Sequence, residues 1–308
     1  MVDLFKTDLL HQVADLDALP VGAYSIRANG QSAKLNSTAH IQITPKTDKP
    51  GIDIHVAPGT KNESMHIPVI ISETGIKDCV YNDFFIGPNC DITIIAGCGI
   101  HNCGNQDSAH DGIHAFFIGE NSKVRYVEKH YGERDADVSG KQLMNPTTII
   151  NLGKNASMDM ETTQISGIDD TTRRTSAVLA EGATLVVHEK IMTTGDQRAI
   201  TDFVADLNGA NSSCNIVSRS VAKDHSHQDF TSRLNGNAPC AGHTECDAII
   251  MDKASVLASP QLTANDVDAS LIHEAAIGKI AGEQLIKLMS LGLTEQEAEE
   301  QIVNGFLK

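Results

Sequence analysis

Apolar and polar residues alternate with a period of two over long stretches of the chain. His40-Ile41-Gln42-Ile43-Thr44 and Ile52-Asp53-Ile54-His55-Val56 show it, and a similar run opens at Gly22-Ala23-Tyr24-Ser25-Ile26-Arg27. In an extended chain successive side chains point to opposite faces, so these runs predict half-buried β-strands punctuated by Pro and Gly. Before them, Leu4, Phe5, Leu9, Leu10 and Val13 recur at helical spacing and predict a short helix over about Asp3 to Leu16.

An imperfect repeat organises the strands. Ile86-Gly87-Pro88-Asn89-Cys90-Asp91-Ile92 is echoed by Ile118-Gly119-Glu120-Asn121-Ser122-Lys123-Val124 and by Leu152-Gly153-Lys154-Asn155-Ala156-Ser157-Met158. Looser copies begin at Leu179 and Ile250. Each reads as a strand end, a tight turn and a new alternating strand, with Asn and Gly suited to turns of positive φ. The spacing, roughly 27 to 34 residues between most neighbours, is that of a solenoid whose turns share one core. A parallel β-helix fits best, and a β-sandwich with similar hairpin turns is the alternative.

The pattern changes after about Leu271. Ala275, Ala276, Ile280, Leu285, Leu288 and Met289 recur at helical spacing, and Leu291-Gly292 reads as a helix stop. Thr294-Glu295-Gln296-Glu297 is a capping-box pattern that opens a second helix, ending near Asn304-Gly305. The expected organisation is an N-terminal helical segment (1–20), a β-helix core (21–270) and a C-terminal helical domain (271–308). The helices would either cap the solenoid or offer a docking surface.

Composition narrows the function classes. With 40 Asp+Glu against 24 Lys+Arg the formal net charge is −16, which argues against nucleic-acid or anionic-membrane partners. No apolar run approaches the roughly 20 residues of a membrane helix, and Met1-Val2-Asp3-Leu4-Phe5 has neither the basic nor the apolar part of a secretory signal. Seven cysteines, an odd number, favour reduced thiols and a cytoplasmic setting over a disulfide framework. Trp is absent, so Ile, Val, Leu and Ala must build the core.

The C-terminal third carries a family resemblance. Ile272-His273-Glu274-Ala275, Gly278-Lys279-Ile280, Glu283-Gln284-Leu285, Gly292-Leu293, Glu297-Ala298 and Ile302-Val303-Asn304-Gly305-Phe306 resemble the C-terminal signature of the SufB/SufD family, the β-helical components of SUF iron–sulfur cluster assembly. Thr244-Glu245-Cys246-Asp247-Ala248 resembles the family's Cys-Asp-Ser strand, and Ser218-Arg219-Ser220-Val221-Ala222 and Arg233 also match. The match is specific over about Asn215 to Phe306 and poor over the first hundred residues. It implies a mainly β fold: a right-handed parallel β-helix with a short N-terminal helix and a C-terminal helical domain. It also implies a scaffold for a transient iron–sulfur cluster, a SufC-like ABC-type ATPase on the C-terminal helices, and a cysteine desulfurase or other sulfur donor. The chain would pair with itself as a homodimer or with a SufB/SufD paralogue. The segment Gly97 to Gly104 with His110, His114 and Lys129-His130-Tyr131-Gly132 looks like short SufB-like proteins of archaea and anaerobic bacteria.

Two constellations carry chemistry. By the resemblance, Cys246 and Glu274 would hold the nascent cluster at a dimer interface, with His273 as the donor that a SufD-type reading favours. A thiolate completed by oxygen or imidazole ligands suits a labile cluster. A second set, Cys98, His101, Cys103, His110 and His114, gathers five soft or borderline donors within seventeen residues, among glycines that would let the backbone bend toward a metal. It fits no standard finger or ferredoxin spacing, and iron entry, sulfur relay or a second ligand set are its possible roles. Cys79, Cys90 and Cys214 read as core thiols. There is no Walker pattern, dinucleotide loop or Gly-x-Ser-x-Gly elbow, so the chain is expected to be no enzyme and ATP hydrolysis to belong to a partner. Two rivals stand beside the scaffold: a SufD-like accessory subunit without a cluster, and a mononuclear metal enzyme using His101, His110 and His114.

Overall fold

The computed structural model describes residues 8–308. Leu4 and Phe5 of the predicted first helix lie outside these residues, and the helix that is described, α1, spans Leu9–Ala14. The body is a β-solenoid of about eight turns built from two sheets. One sheet runs through Lys61–Ile71, Asp91–Asn102, Lys123–Arg134, Ser157–Ser166, Thr184–Thr193, Ser213–Ala222, Ala241–Ile250 and Ser270–Gly278. The other runs through Gly51–Val56, Lys77–Ile86, Ser108–Ile118, the broken pair Gln142–Met144 and Thr147–Leu152, then Asp170–Leu179, Arg198–Leu207, His227–Gly236 and Ser255–Ala264. Chain-consecutive strands mostly fall in opposite sheets, and ladder neighbours pair in parallel in register. This parallel stacking selects the β-helix over the sandwich. Antiparallel pairing among the described residues is confined to the N-terminal end, at Ala23–Ala28 with Gln31–Asn36 and Ile41–Pro45 with Gly51–Val56.

The turns of the sequence repeat are the corners of the solenoid. Asn89, Asn121, Asn155, Gly182 and Asp252 all have φ between 54° and 66°. A side chain that tolerates the left-handed region is needed at each corner, which is why Asn, Asp and Gly recur there.

Register sorts the interior into two tracks. Phe84, Phe116, Ile150, Ala177, Ala205 and Leu234 form one apolar column, with Phe84 stacked on Phe116 at 4.3 Å between ring centres. On the opposite sheet an inward column reads Ala96, Glu128, Thr162, Glu189, Ser218, Cys246 and Ala275. The polar column lies beside an apolar one on its own sheet, formed by Ile94, Tyr126, Met160, Val187 and Ile216.

Helices cover the outside of the first sheet. Leu9, Leu10, Val13 and Ala14 of α1 pack with Ile26, Ala28 and Ile70, directly over Gly97 and Gly99. A Cβ on Gly97 would lie 2.4 Å from the Val13 carbonyl oxygen. These glycines seat the helix; bending the backbone toward a metal, as expected from sequence, is not their part.

The strand Ser270–Gly278 includes Ala275 and Ala276, so the helical spacing read from Leu271 onward was misleading there. It is an edge strand whose outer side chains are uncovered, which blurs its alternation. Helix α2 follows at Gly282–Ser290 and α3 at Glu295–Phe306, with Gly292 at φ 100° between them and the Thr294–Glu297 capping box formed. Val303 of α3 and the following Leu307 pack on Val221, with Ile249 and Met251 beside them. The hairpin thus lies on the flank and leaves the C-terminal end of the solenoid open. No helix among the described residues is long and apolar enough to cross a membrane.

Candidate functional site

Strand alternation divides the donors singled out in the sequence. Cys98, His110 and His114 point inward and line one small cavity of about 20 Å³, together with Gly112, Glu128 and His130. That is room for about one water. His101 lies on the outside, paired with Asp135 at 2.8 Å, and Cys103 is exposed beyond the strand end. The five-donor set is therefore not brought together. Cys90 and Cys214 are core thiols as expected, whereas Cys79 is exposed on the outer face.

The cavity borders a buried hydrogen-bonded network that sequence reading missed. Asn82 Nδ2 donates to His114 Nε2 at 3.2 Å, His114 Nδ1–H donates to Tyr126 Oη at 2.8 Å, and Tyr126 donates to Glu128 Oε1 at 2.9 Å. The sequence of donors assigns His114 a neutral ring protonated at Nδ1. Burial lowers the His114 pKa to about 4, against an opposing pull from Glu128. Arg173 Nη1 donates to Glu128 Oε2 at 2.5 Å, Arg173 Nη2 donates to His130 Nδ1 at 3.1 Å, and Nε lies 3.6 Å from Glu189. Glu189 also accepts from Thr201 at 2.9 Å and from Ser218 at 2.8 Å. Burial works to raise the Glu128 carboxyl, but His130 and Arg173 hold it well below its ordinary range. Both nitrogens of His114 are occupied and burial keeps Cys98 a neutral thiol, whereas His110 Nδ1, on the same cavity, is buried without a hydrogen bond, 3.3 Å from Asp78. The available signal was the phase of Tyr126-x-Glu128-x-His130, which continues the inward positions of Val124.

The last turn is arranged differently. Cys246 and His273 both face inward on adjacent strands; Thr244 is the ladder neighbour of His273, and Ser218 and Ala275 flank Cys246. Cys246 is 1% exposed, and burial, with Glu189 and Asp247 nearby, pushes its thiol pKa up to about 12. His273 Nδ1 is buried with no hydrogen-bond partner. Glu274 points the opposite way. On the outer face it stands directly opposite Glu245, and His243 Nε2 or Nδ1 and both carboxylates come within 4.8 Å of one another. The expected trio of Cys246, His273 and Glu274 is thus split by the sheet.

This is a parallel β-solenoid that carries thiol and imidazole on the inner face, and carboxylates on the outer face, of its open last turn. Residues 82–306 match the family described as SUF system FeS cluster assembly, SufBD core domain, and the chain belongs to the SufB/SufD family. An iron-sulfur cluster assembly SufBD family protein of Pyrococcus horikoshii is 29% identical over 290 residues, covering 89% of this chain and 83% of that one. A relative of the same description in Methanothermobacter thermautotrophicus is 28% identical over 265 residues, and this chain spans 62% of its length. The iron-sulfur cluster assembly protein SufB of Bacillus subtilis is 36% identical over 104 residues, 32% of this chain and 22% of that one. Family membership places the chain in iron–sulfur cluster assembly.

Proposed function

We propose that the chain is a non-enzymatic scaffold on which a nascent iron–sulfur cluster is assembled at Cys246 and His273. The observation that carries this reading is the presence of a thiol and of an imidazole with a buried, unpartnered Nδ1 on the inner face of the solenoid end that α2 and α3 leave uncovered. Thiolate ligation is what a cluster requires first, and an imidazole gives a shell weak enough to release its cargo. Glu274 belongs to the outer face and would join the shell only after the edge strand moves.

The open end exposes Leu257, Leu262, Ile272 and Ile277, and its last strands offer unpaired edges. Such edges invite pairing, so a second copy of this chain or a SufB/SufD paralogue would cover them and shield the cluster. Helix α2 has no buried residue and presents Ile286, Met289 and Leu291 outward, a face suited to a SufC-like ABC-type ATPase. Helix α3 packs with Ile249, near the end of the strand bearing Cys246, so movement of the hairpin would be passed to that strand. Sulfur would come from a cysteine desulfurase or another donor, in the cytoplasm.

The test is anaerobic reconstitution with ferrous iron and sulfide, wild type beside Cys246→Ala. A visible chromophore with matched iron and sulfide counts is expected in the wild type and not in the variant. A chromophore that survives in Cys246→Ala removes this residue from the proposal. The depth of Cys246 and its high pKa favour a second reading, a SufD-like accessory subunit. A wild type that stays colourless yet still recruits the ATPase would establish it.

A further inference from the structure

The two sheets are covered unequally. Helix α1 packs on the first sheet, and α3 packs on Val221 and Ile249 of that same sheet. The outer face of the second sheet instead carries an apolar ladder. His55, Phe85, Phe117, Asn151 and Val178 follow one another in a single outward column. Phe85, Phe117 and Val178 are 37%, 43% and 41% exposed. The rings of His55 and Phe85 stack at 4.7 Å between centres, and those of Phe85 and Phe117 at 5.3 Å. Ile149 is exposed in the next outward column and widens the strip. A contiguous apolar strip rimmed by polar residues marks a place where another molecule sits.

A groove of about 740 Å³ runs beside the rings from His55 to Asn208. Its far wall is the solenoid corner, where Gly87 and Gly119 bear no side chain; a Cβ on either would lie 2.7 Å from the backbone of the preceding turn. The groove extends from Gly51–Val56 to the end of Arg198–Leu207, about 24 Å at roughly 4.8 Å per ladder step. That is the length of a helix of about 16 residues. The spacing agrees as well. Ridges recur about every 4.8 Å along the ladder, one face of a helix recurs about every 5.4 Å, and one face of an extended strand only about every 6.8 Å.

The surroundings are acidic. Lys46 is shared by Asp53 and Asp83, and Lys154 is taken by Glu181. Glu120 at the corner and Asp206, which follows Val178 in the column, form no ion pair among the described residues. A second copy would bring the same acids against these, on a chain of net charge −16. The rim therefore selects against self-association and for a basic occupant.

We propose that this groove seats one amphipathic helix of another protein, apolar on the face that meets Phe85, Phe117 and Val178 and rich in Lys or Arg along its flanks. The occupant lies on the second sheet, whereas Cys246 and the contacts of α3 belong to the first. It leaves the open end and α2 free for their own partners.

The probe is a fluorescently labelled peptide of about 16 residues, with Leu and Phe on one helical face and Lys on the other, titrated with the full chain and followed by anisotropy. A scrambled peptide of the same composition and a version with Glu for Lys are run beside it. Saturable binding of one peptide per chain is expected, about tenfold or more tighter than either control. Phe85→Ser combined with Phe117→Ser should weaken it by about tenfold or more, because aromatic anchors carry most of an interface's affinity. Glu120→Lys, at an exposed corner position, keeps the test decisive should the ring variant unfold. It should weaken the Lys peptide and strengthen the Glu one, and an unchanged preference would overturn the proposal. Equal binding of the scrambled peptide, or binding that survives loss of both rings, would reduce the effect to general attraction by an acidic protein and overturn the groove. So would a wild-type dimer that the ring variant dissociates, because a second copy would then own this face. Cluster reconstitution has no bearing on any of these outcomes.

Discussion

Glu128 and Cys246 occupy the same inward column of the same sheet, four ladder steps apart, yet their surroundings have little in common. Around Glu128 each charge has a partner within the solenoid, and Arg173 bridges two buried carboxylates. Around Cys246 the column runs out: the next position is Ala275 on an edge strand, and the neighbouring His273 keeps an orphaned nitrogen. In the middle of the molecule the charges of this polar track are thus paired, though the Thr162 hydroxyl between them has no partner, and at its end an imidazole nitrogen is left orphaned. A saturated network fixes structure, because no member can change partner without leaving another unpaired. An unsaturated one has capacity left for a ligand, which is why the end of the track, and not its densest part, is where function is proposed.

Breaking the closed part should have the largest effect. Arg173→Met would leave Glu128 and Glu189 buried without their cation, and loss of one partner from such a group costs about 3–5 kcal/mol. Arg233→Met, which removes a half-exposed pair with Asp202, should cost about 0–1 kcal/mol. Urea unfolding of the two variants beside wild type makes the comparison. Equal losses would mean that the interior network carries no special weight.

Acid should act on the same region next. His114 is neutral in the fold with its pKa held at about 4, while in the unfolded chain it titrates near 6.5. Between these values the unfolded chain binds the extra proton. The His114 contribution is therefore complete above pH 6.5 and is lost as pH falls toward 4, by about 3 kcal/mol in total. Metal-free protein unfolded in urea at pH 7 and pH 4.5 should show this loss. His114→Gln should flatten the acid slope, and an unchanged slope would assign the acid sensitivity to other groups.

The outer lid over the closed region comes third. Gly97→Ala places a methyl group against the Val13 carbonyl and the Lys129 carbonyl oxygen, 2.8 Å away, so α1 must lift. Overpacking of this kind costs about 1–3 kcal/mol. Hydrogen exchange should report it as lost protection at Leu9–Ala14, with the amides of the last turn unmoved.

Much of this comparison was legible in the sequence, and the parts that were not have physical reasons. The corners were readable because positive φ restricts the residue type, so Asn89, Asn121 and Asn155 announce themselves. The capping box at Thr294 was readable for a similar reason: two side chains must satisfy backbone donors at fixed spacing. Glu128, His130 and Arg173 were hidden because they lie on three separate stretches that meet only through the register between turns and the facing of the two sheets. Cys98 and His110 were found, but as a set with His101 and Cys103, since proximity in sequence does not show on which side of a sheet each donor points. Glu274 was grouped with Cys246 by the family resemblance, which likewise does not show on which side of a sheet each donor points. Alternation along Leu271–Gly278 would have separated them, had the exposed edge strand not looked like the start of a helix.

The smallest expected effect on stability tests the open end most directly. Val303 of α3 is buried against Val221, and Val303→Ala should cost about 2 kcal/mol. Ile286 of α2 is 68% exposed, and Ile286→Ser should change stability by no more than about 0.5 kcal/mol. If α2 is a docking face, the order reverses when binding is measured. Ile286→Ser, alone or with Leu291→Ser, should then abolish co-purification of an ABC-type ATPase, whereas a Val303→Ala protein kept cold enough to stay folded should retain it. A stability loss at Ile286 as large as that at Val303 would show that α2 is already packed in solution. The end of the solenoid would then be less open than the described residues portray it, and the contrast with the closed interior would narrow to Cys246 and His273 alone.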